Sequence, residues 1–238
     1  MNTLWAFGNS WIASDLTFNS NTWINQLPKK LNLELLNYGK TNTDQAYAFD
    51  TFNQYKKNFK SGDIVILTLS STSRTIFLND YNKNKLAIKH YYLYLDNQII
   101  QNVFLENFLY NADYTANKHN VKIIILNCYA DTGEFLKMKK YSYKNLSIIH
   151  DCLYNISINE MKQKLKKTKL EDMSGESRLN HLCRSNHDVL ANKIVDYIEH
   201  NIDINLHNGF IENILDFDTK NDHTLCDYEF FGRTWEFT

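Results

Sequence analysis

The run Ile64-Val65-Ile66-Leu67-Thr68-Leu69 sets the tightest limit on what this chain can become. It is continuous, apolar and rich in β-branched residues. Turn-forming Ser61-Gly62-Asp63 precedes it and polar Ser70-Ser71-Thr72-Ser73-Arg74 follows it. It is too short for an ordinary helix and lacks the alternation of a half-exposed strand, so it reads as a strand buried on both faces. Strands of that kind belong to parallel sheets covered by helices on both sides. Residues 3–7, 33–36, 121–126 and 146–149 read as further strands. Segments with apolar residues at helical spacing separate them, at 23–31 after Thr22, 46–59 after Thr43 or Asp44, and 96–117 after Asp96. Two more follow, at 158–170 and, after Ser185, at 187–202. On the 96–117 helix, Ile99, Val103, Phe104, Phe108 and Leu109 read as the buried side. Strand and helix in alternation predict a three-layer α/β/α fold around a mostly parallel five-stranded sheet, flavodoxin-like in outline.

Composition narrows the function classes. At 238 residues with a single proline and seven glycines, the chain has no linker-like stretch and reads as one domain over 1–238. Within it, 130–178 reads as an insertion and 203–238 as a carboxyl-terminal extension. A net charge of −1 argues against a nucleic-acid partner. The lysines at 137–144 and 162–169 read as solvated faces. Cys128, Cys152, Cys183 and Cys226 are scattered and form no CxxC, which argues against zinc and against a disulfide framework. No signal-peptide pattern opens the chain, and no apolar run approaches the about 18 residues of a membrane span. The expectation is a protein with no membrane partner.

The chemistry is expected at the carboxyl ends of the strands. The first strand empties into Gly8-Asn9-Ser10, which delivers a serine into a turn. Asn37-Tyr38-Gly39-Lys40-Thr41-Asn42 follows the second strand, Ser70 to Arg74 the third. Leu179-Asn180-His181-Leu182, with Asn186-His187 and Leu190-Ala191, lies at the last helix. In this order and spacing the four blocks resemble those of the SGNH (GDSL-like) hydrolase family, over roughly residues 3–200. The version without a signal peptide is similar to bacteriophage-encoded members, which implies a cytoplasmic or virion-associated protein.

That resemblance implies a role for each matching position. Ser10 takes the place of the nucleophile and His181 that of the general base. The oxyanion donors would be the Ser10 N–H, the Asn42 N–H and the Thr72 hydroxyl. Asn9 stands where the family has Asp, Asn42 where it has Gly, and Thr72 where it has Asn. No acid stands two or three residues before His181, where Arg178 and Leu179 lie. Glu176 or Asp172 would be the substitute orienting acid, unless a carbonyl does that work or no third member exists. Asn9, Gly39, Ser71 and Arg74 are the positions expected to meet substrate. His187 reads as a capping or packing residue.

The resemblance implies no metal and no organic cofactor. Its substrate would be an ester-bearing small molecule or glycan, such as an O-acetylated carbohydrate. Two other readings stand beside it. One is a catalytically degenerate SGNH-fold protein that binds a glycan or a protein partner. The other is a phosphate binder using residues 70–74. The sequence leaves the oligomeric state open.

Overall fold

The computed structural model describes residues 2–13, 22–41, 43–70, 98–129, 132–140, 142–153, 156, 182 and 184–210. Five strands, β1 (Thr3–Phe7), β2 (Glu34–Asn37), β3 (Ile64–Leu69), β4 (Lys122–Asn127) and β5 (Leu146–Cys152), form one sheet in the order β2-β1-β3-β4-β5. Every neighbouring pair is parallel. Around the sheet lie α1 (Trp23–Leu31), α2 (Gln45–Tyr55), α3 (Gln98–His119), α4 (Gly133–Lys139) and α5 (Arg184–His200). The architecture is the expected three-layer α/β/α fold.

Strand alternation builds two cores, because successive side chains point to opposite faces. Leu4, Ala6, Ile64, Ile66, Ile124, Leu126 and Ile149 point to one face and pack with α1 and α5 through Trp23, Ile24, Leu27, Leu190 and Ile194. Trp5, Phe7, Val65, Leu67, Ile123, Ile125 and Ile148 point to the other and pack with α2, α3 and α4. That second core is largely aromatic. Phe52 meets Phe7 and Phe108 edge-on, and Phe49 stacks on Phe108.

The helices change faces because the chain leaves β1 in one direction to make β2, then crosses back over β1 to make β3. Right-handed crossovers in opposite directions put their helices on opposite sides. A crevice opens at such a reversal, outside the carboxyl ends of the two central strands, here β1 and β3.

Several expectations change. Residues 133–152, within the segment 130–178, supply α4 and the edge strand β5, which runs three residues beyond the strand expected at 146–149. The last helix begins at Arg184, so Ser185 sits within its first turn rather than capping it. On α3, Val103 and Phe104 are half exposed while Phe108 and Leu109 are buried, so the inward stripe is narrower than the apolar pattern. Thr22 occupies the cap position of α1, but its hydroxyl makes no capping bond. Asp44 does cap α2, accepting from the Tyr47 N–H at 3.0 Å. The 158–170 helix and the 211–238 part of the extension lie outside the described residues. Cys128 and Cys152 are far apart in sequence, but both are buried at adjacent strand ends, where the Cys152 thiol donates to the Cys128 carbonyl at 3.1 Å. Among the described residues, no helix is long and apolar enough to cross a membrane.

At the amino-terminal edge of the sheet, buried Asp63 accepts from the Thr3 N–H, the Trp5 indole and the Lys60 N–H at 2.9–3.0 Å. Lys122 does comparable work for α5. Its ammonium donates to the carbonyls of Tyr197 (3.3 Å) and Ile198 (3.4 Å) and lies 4.4 Å from the Tyr197 ring centre. Burial holds its pKa below the usual lysine value. A cation at a helix carboxyl end, facing the carbonyls of its last turn, is stabilising. Lys122→Met keeps an aliphatic stem and removes the ammonium together with its two hydrogen bonds. It should lower stability by about 1–2 kcal/mol. Urea denaturation would show this as a lower midpoint with an unchanged slope.

Candidate functional site

Ser10 lies just past the end of β1, on the carboxyl-terminal side of the sheet where β1 and β3 run side by side. Gly8 makes the approach possible. Its φ of +153° suits glycine, and a Cβ there would sit 1.9 Å from Thr68 Oγ1 and 2.9 Å from the Thr68 carbonyl oxygen. The chain then turns. The Asn9 carbonyl accepts from the N–H groups of Ile12 (3.2 Å) and Ala13 (3.1 Å), which places Ser10 in the first step of a tight turn. Ser10 is only 7% exposed.

The loop after β2 lies flush against this turn. Tyr38 and Lys40 continue the strand pairing, donating to the carbonyls of Ala6 (2.7 Å) and Gly8 (3.0 Å). Asn37 reaches across, donating to the Ile12 carbonyl at 2.6 Å and accepting from the Gly39 N–H at 2.8 Å. Gly39 faces residues 12 and 13 so closely that a Cβ would meet Ile12 Cγ1 at 2.6 Å and the Ala13 nitrogen at 2.9 Å. Close approach therefore accounts for glycine at this position.

The loop after β3 joins through Ser70. Its hydroxyl accepts from Asn9 Nδ2 at 2.8 Å and donates to the Thr43 carbonyl at 3.0 Å, and its own carbonyl accepts from Gln45 Nε2 at 2.6 Å. Asn9 is fully buried, with Oδ1 accepting from the Trp11 N–H at 3.0 Å. Read from sequence as a substrate contact, Asn9 has both ends of its amide on protein partners. Ser70, the first residue of the stretch considered for phosphate, likewise has its hydroxyl and carbonyl occupied. Ser71, Thr72 and Arg74 lie outside the described residues, as do Asn42, Asp172, Glu176 and His181.

The fourth block reaches the site through its flanks. Leu182 is fully buried in the same apolar cluster as Trp11, Ile12 and Trp23. Nδ1 of buried His187 accepts the Trp23 N–H at 3.3 Å, and the Trp23 indole donates to the Trp11 carbonyl at 2.9 Å. Accepting at Nδ1 requires an unprotonated nitrogen there, which puts the ring proton of neutral His187 on Nε2. His187 thus serves the first N–H of α1, one of the donors a helix start leaves without an internal partner. The amino-terminal end of α5, the start of α1 and the turn carrying Ser10 are joined across 177 residues of sequence (187 − 10).

Asn37 and Gln45 organise the site without having been singled out from sequence. Asn37 carried a signal, since an Asn ending a strand two residues before Gly is a side-chain turn former. Gln45 carried none, because a glutamine in the first turn of a helix is ordinary. Among the described residues, no group of three or more His, Cys, Asp or Glu could hold a metal ion.

No family model matches the chain, and no curated protein matches it. Among solved structures it is similar to a "putative lipolytic protein of G-D-S-L family" from Desulfitobacterium hafniense DCB-2. The two are 16% identical with a TM-score of 0.43, over 73% of this chain and 86% of that one. A likeness of that degree carries no argument about chemistry.

Proposed function

We propose that the protein is a serine hydrolase of the SGNH type acting on an ester, with Ser10 as nucleophile and His181 as general base. A serine hydroxyl is a weak nucleophile until a neighbouring imidazole takes its proton. The anion formed on the carbonyl oxygen then needs fixed donors. The family resemblance names the Ser10 N–H, the Asn42 N–H and the Thr72 hydroxyl for that purpose. Each such donor is worth about 3–4 kcal/mol of barrier. The substrate class proposed is an O-acylated carbohydrate or small ester.

One observation carries the reading. Trp11 and Ile12, which follow Ser10, share a buried cluster with Leu182, the residue after His181. Two stretches far apart in sequence, flanking the positions matched to the nucleophile and the base, therefore meet in one core. A fluorophosphonate probe tests the assignment. The wild-type protein should take up one adduct, mapped by mass spectrometry to the peptide holding Ser10. In His181→Ala the labelling rate should fall on the order of 10²-fold or more, the usual contribution of a general base. An adduct on a different serine would overturn the assignment. A folded wild-type protein that takes no label would favour the glycan- or protein-binding reading instead.

A further inference from the structure

We propose that Asn9 is a positioning residue for Ser10, and that its place requires a side chain that donates at one end and accepts at the other. The proposal rests on the hydrolase reading only for its activity arm. The geometry is a chain of hydrogen bonds with a fixed proton order. The Thr43 carbonyl can only accept, so the single proton of the Ser70 hydroxyl goes to it, at 3.0 Å. Ser70 Oγ then offers residue 9 only a lone pair, and Asn9 Nδ2 donates to it at 2.8 Å. At the other end the Trp11 N–H can only donate, so residue 9 must accept, and Oδ1 does so at 3.0 Å. Rotating the amide by half a turn would set donor against donor at Trp11.

The bridge joins three loops, those after β1, β2 and β3, and it does so at the residue whose carbonyl closes the turn around Ser10. Asn9 is fully buried, so water cannot replace a missing partner. Its contacts in the bridge are all uncharged: Thr68 Oγ1, which accepts from the Asn9 N–H at 3.4 Å, together with Ser70 and Trp11. The ionisable residue next to the bridge in sequence is Asp44, beside Thr43, whose carboxylate caps α2. An ionised aspartate at position 9 would accept at both ends, compete with Thr43 for the one hydroxyl proton, and add a second carboxylate to a buried region. A protonated aspartate would reproduce the amide, with its O–H toward Ser70 and its C=O toward Trp11.

Asn9→Asp is therefore expected to behave as a pH-dependent copy of the wild type. The fold favours the neutral acid and raises the carboxyl's pKa above its unfolded value. Stability is thus present at low pH and lost as pH rises through the folded value. Thermal midpoints of Asn9→Asp, Asn9→Ala and wild type, each compared at the same pH from 5 to 8, give the first arm. The Asp deficit should widen with pH while the Ala deficit stays flat. The second arm is the fluorophosphonate labelling rate at Ser10 relative to wild type. It should be near parity for Asn9→Asp at pH 5 and lower on the order of 10²-fold at pH 8, the effect of a small misplacement of a reacting group. In a Ser70→Ala background the pH-dependent part should shrink, which covers the case in which Asn9→Asp folds poorly at high pH. An Asn9→Asp protein that tracks wild type at every pH, or shares a flat deficit with Asn9→Ala, overturns the proposal. Should the wild type take no label, the hydrolase reading fails alone, and the melting arm still decides the bridge.

Discussion

Ser10→Ala is expected to lower turnover of an activated ester such as p-nitrophenyl acetate on the order of 10⁶-fold in kcat, and to abolish fluorophosphonate labelling. Loss of the nucleophile has effects of that size in serine hydrolases, because base and oxyanion donors then have no covalent step to assist. The substitution is a sharp instrument here. The turn is closed by the Asn9 carbonyl accepting from Ile12 and Ala13, bonds that alanine retains. Circular dichroism and the thermal midpoint should therefore stay close to those of wild type, and the lost rate reports chemistry. Full activity in a folded Ser10→Ala protein would remove Ser10 from the mechanism.

The largest expected effect on stability is at Gly8. Alanine there would place its Cβ 1.9 Å from Thr68 Oγ1 and 2.9 Å from the Thr68 carbonyl, at a φ of +153° that side-chain-bearing residues rarely adopt. Rotation of Thr68 can relieve the first contact but not the second, which is backbone. Overpacking of this kind costs about 1–3 kcal/mol and a strained backbone angle about 1–3 kcal/mol. For a chain of this size the sum corresponds to a fall in thermal midpoint of roughly 5–20 °C. Because Gly8 leads directly into Asn9 and Ser10, labelling at Ser10 should fall as well, even at temperatures where the variant is folded. An unchanged midpoint would mean that β1 and β3 do not approach as closely as described.

How much of this was legible in the residues depends on the range of the physics. The β3 strand, Ile64–Leu69, was read with its observed bounds, because continuous apolar character is a local property that burial on both faces demands. The burial of α3 was misread at Val103 and Phe104 for a related reason. Apolar spacing names the residues able to face a core, whereas the neighbouring elements decide how wide the covered stripe is. Within 130–178, the apolar run at 146–149 was read as a strand, because apolar character is local, but its extension through Cys152 was not, since His150 and Asp151 carry no such signal. Pairing with β4 past the register shift at Leu126/Asn127 carries the strand on to Cys152. At the site, the placement of Ser10 after a strand was visible in Gly8-Asn9-Ser10. The inward-turned amide of Asn9 was not, since Ser70, to which it donates, lies 61 positions away, and the Thr43 carbonyl that fixes the Ser70 proton lies on a third loop.

The sequence by itself determined the layer architecture, the alternation that sends Leu4 and Ala6 one way and Trp5 and Phe7 the other, and the serine at the end of the first strand. These follow from periodicity and from turn chemistry, which act over a few residues. Tertiary structure alone decided that the start of α5 docks on the start of α1, that Gly39 is needed to seat one loop on another, and that Asn9 joins three loops. Those outcomes depend on which distant groups share a buried space, where every donor must find an acceptor and no added atom fits.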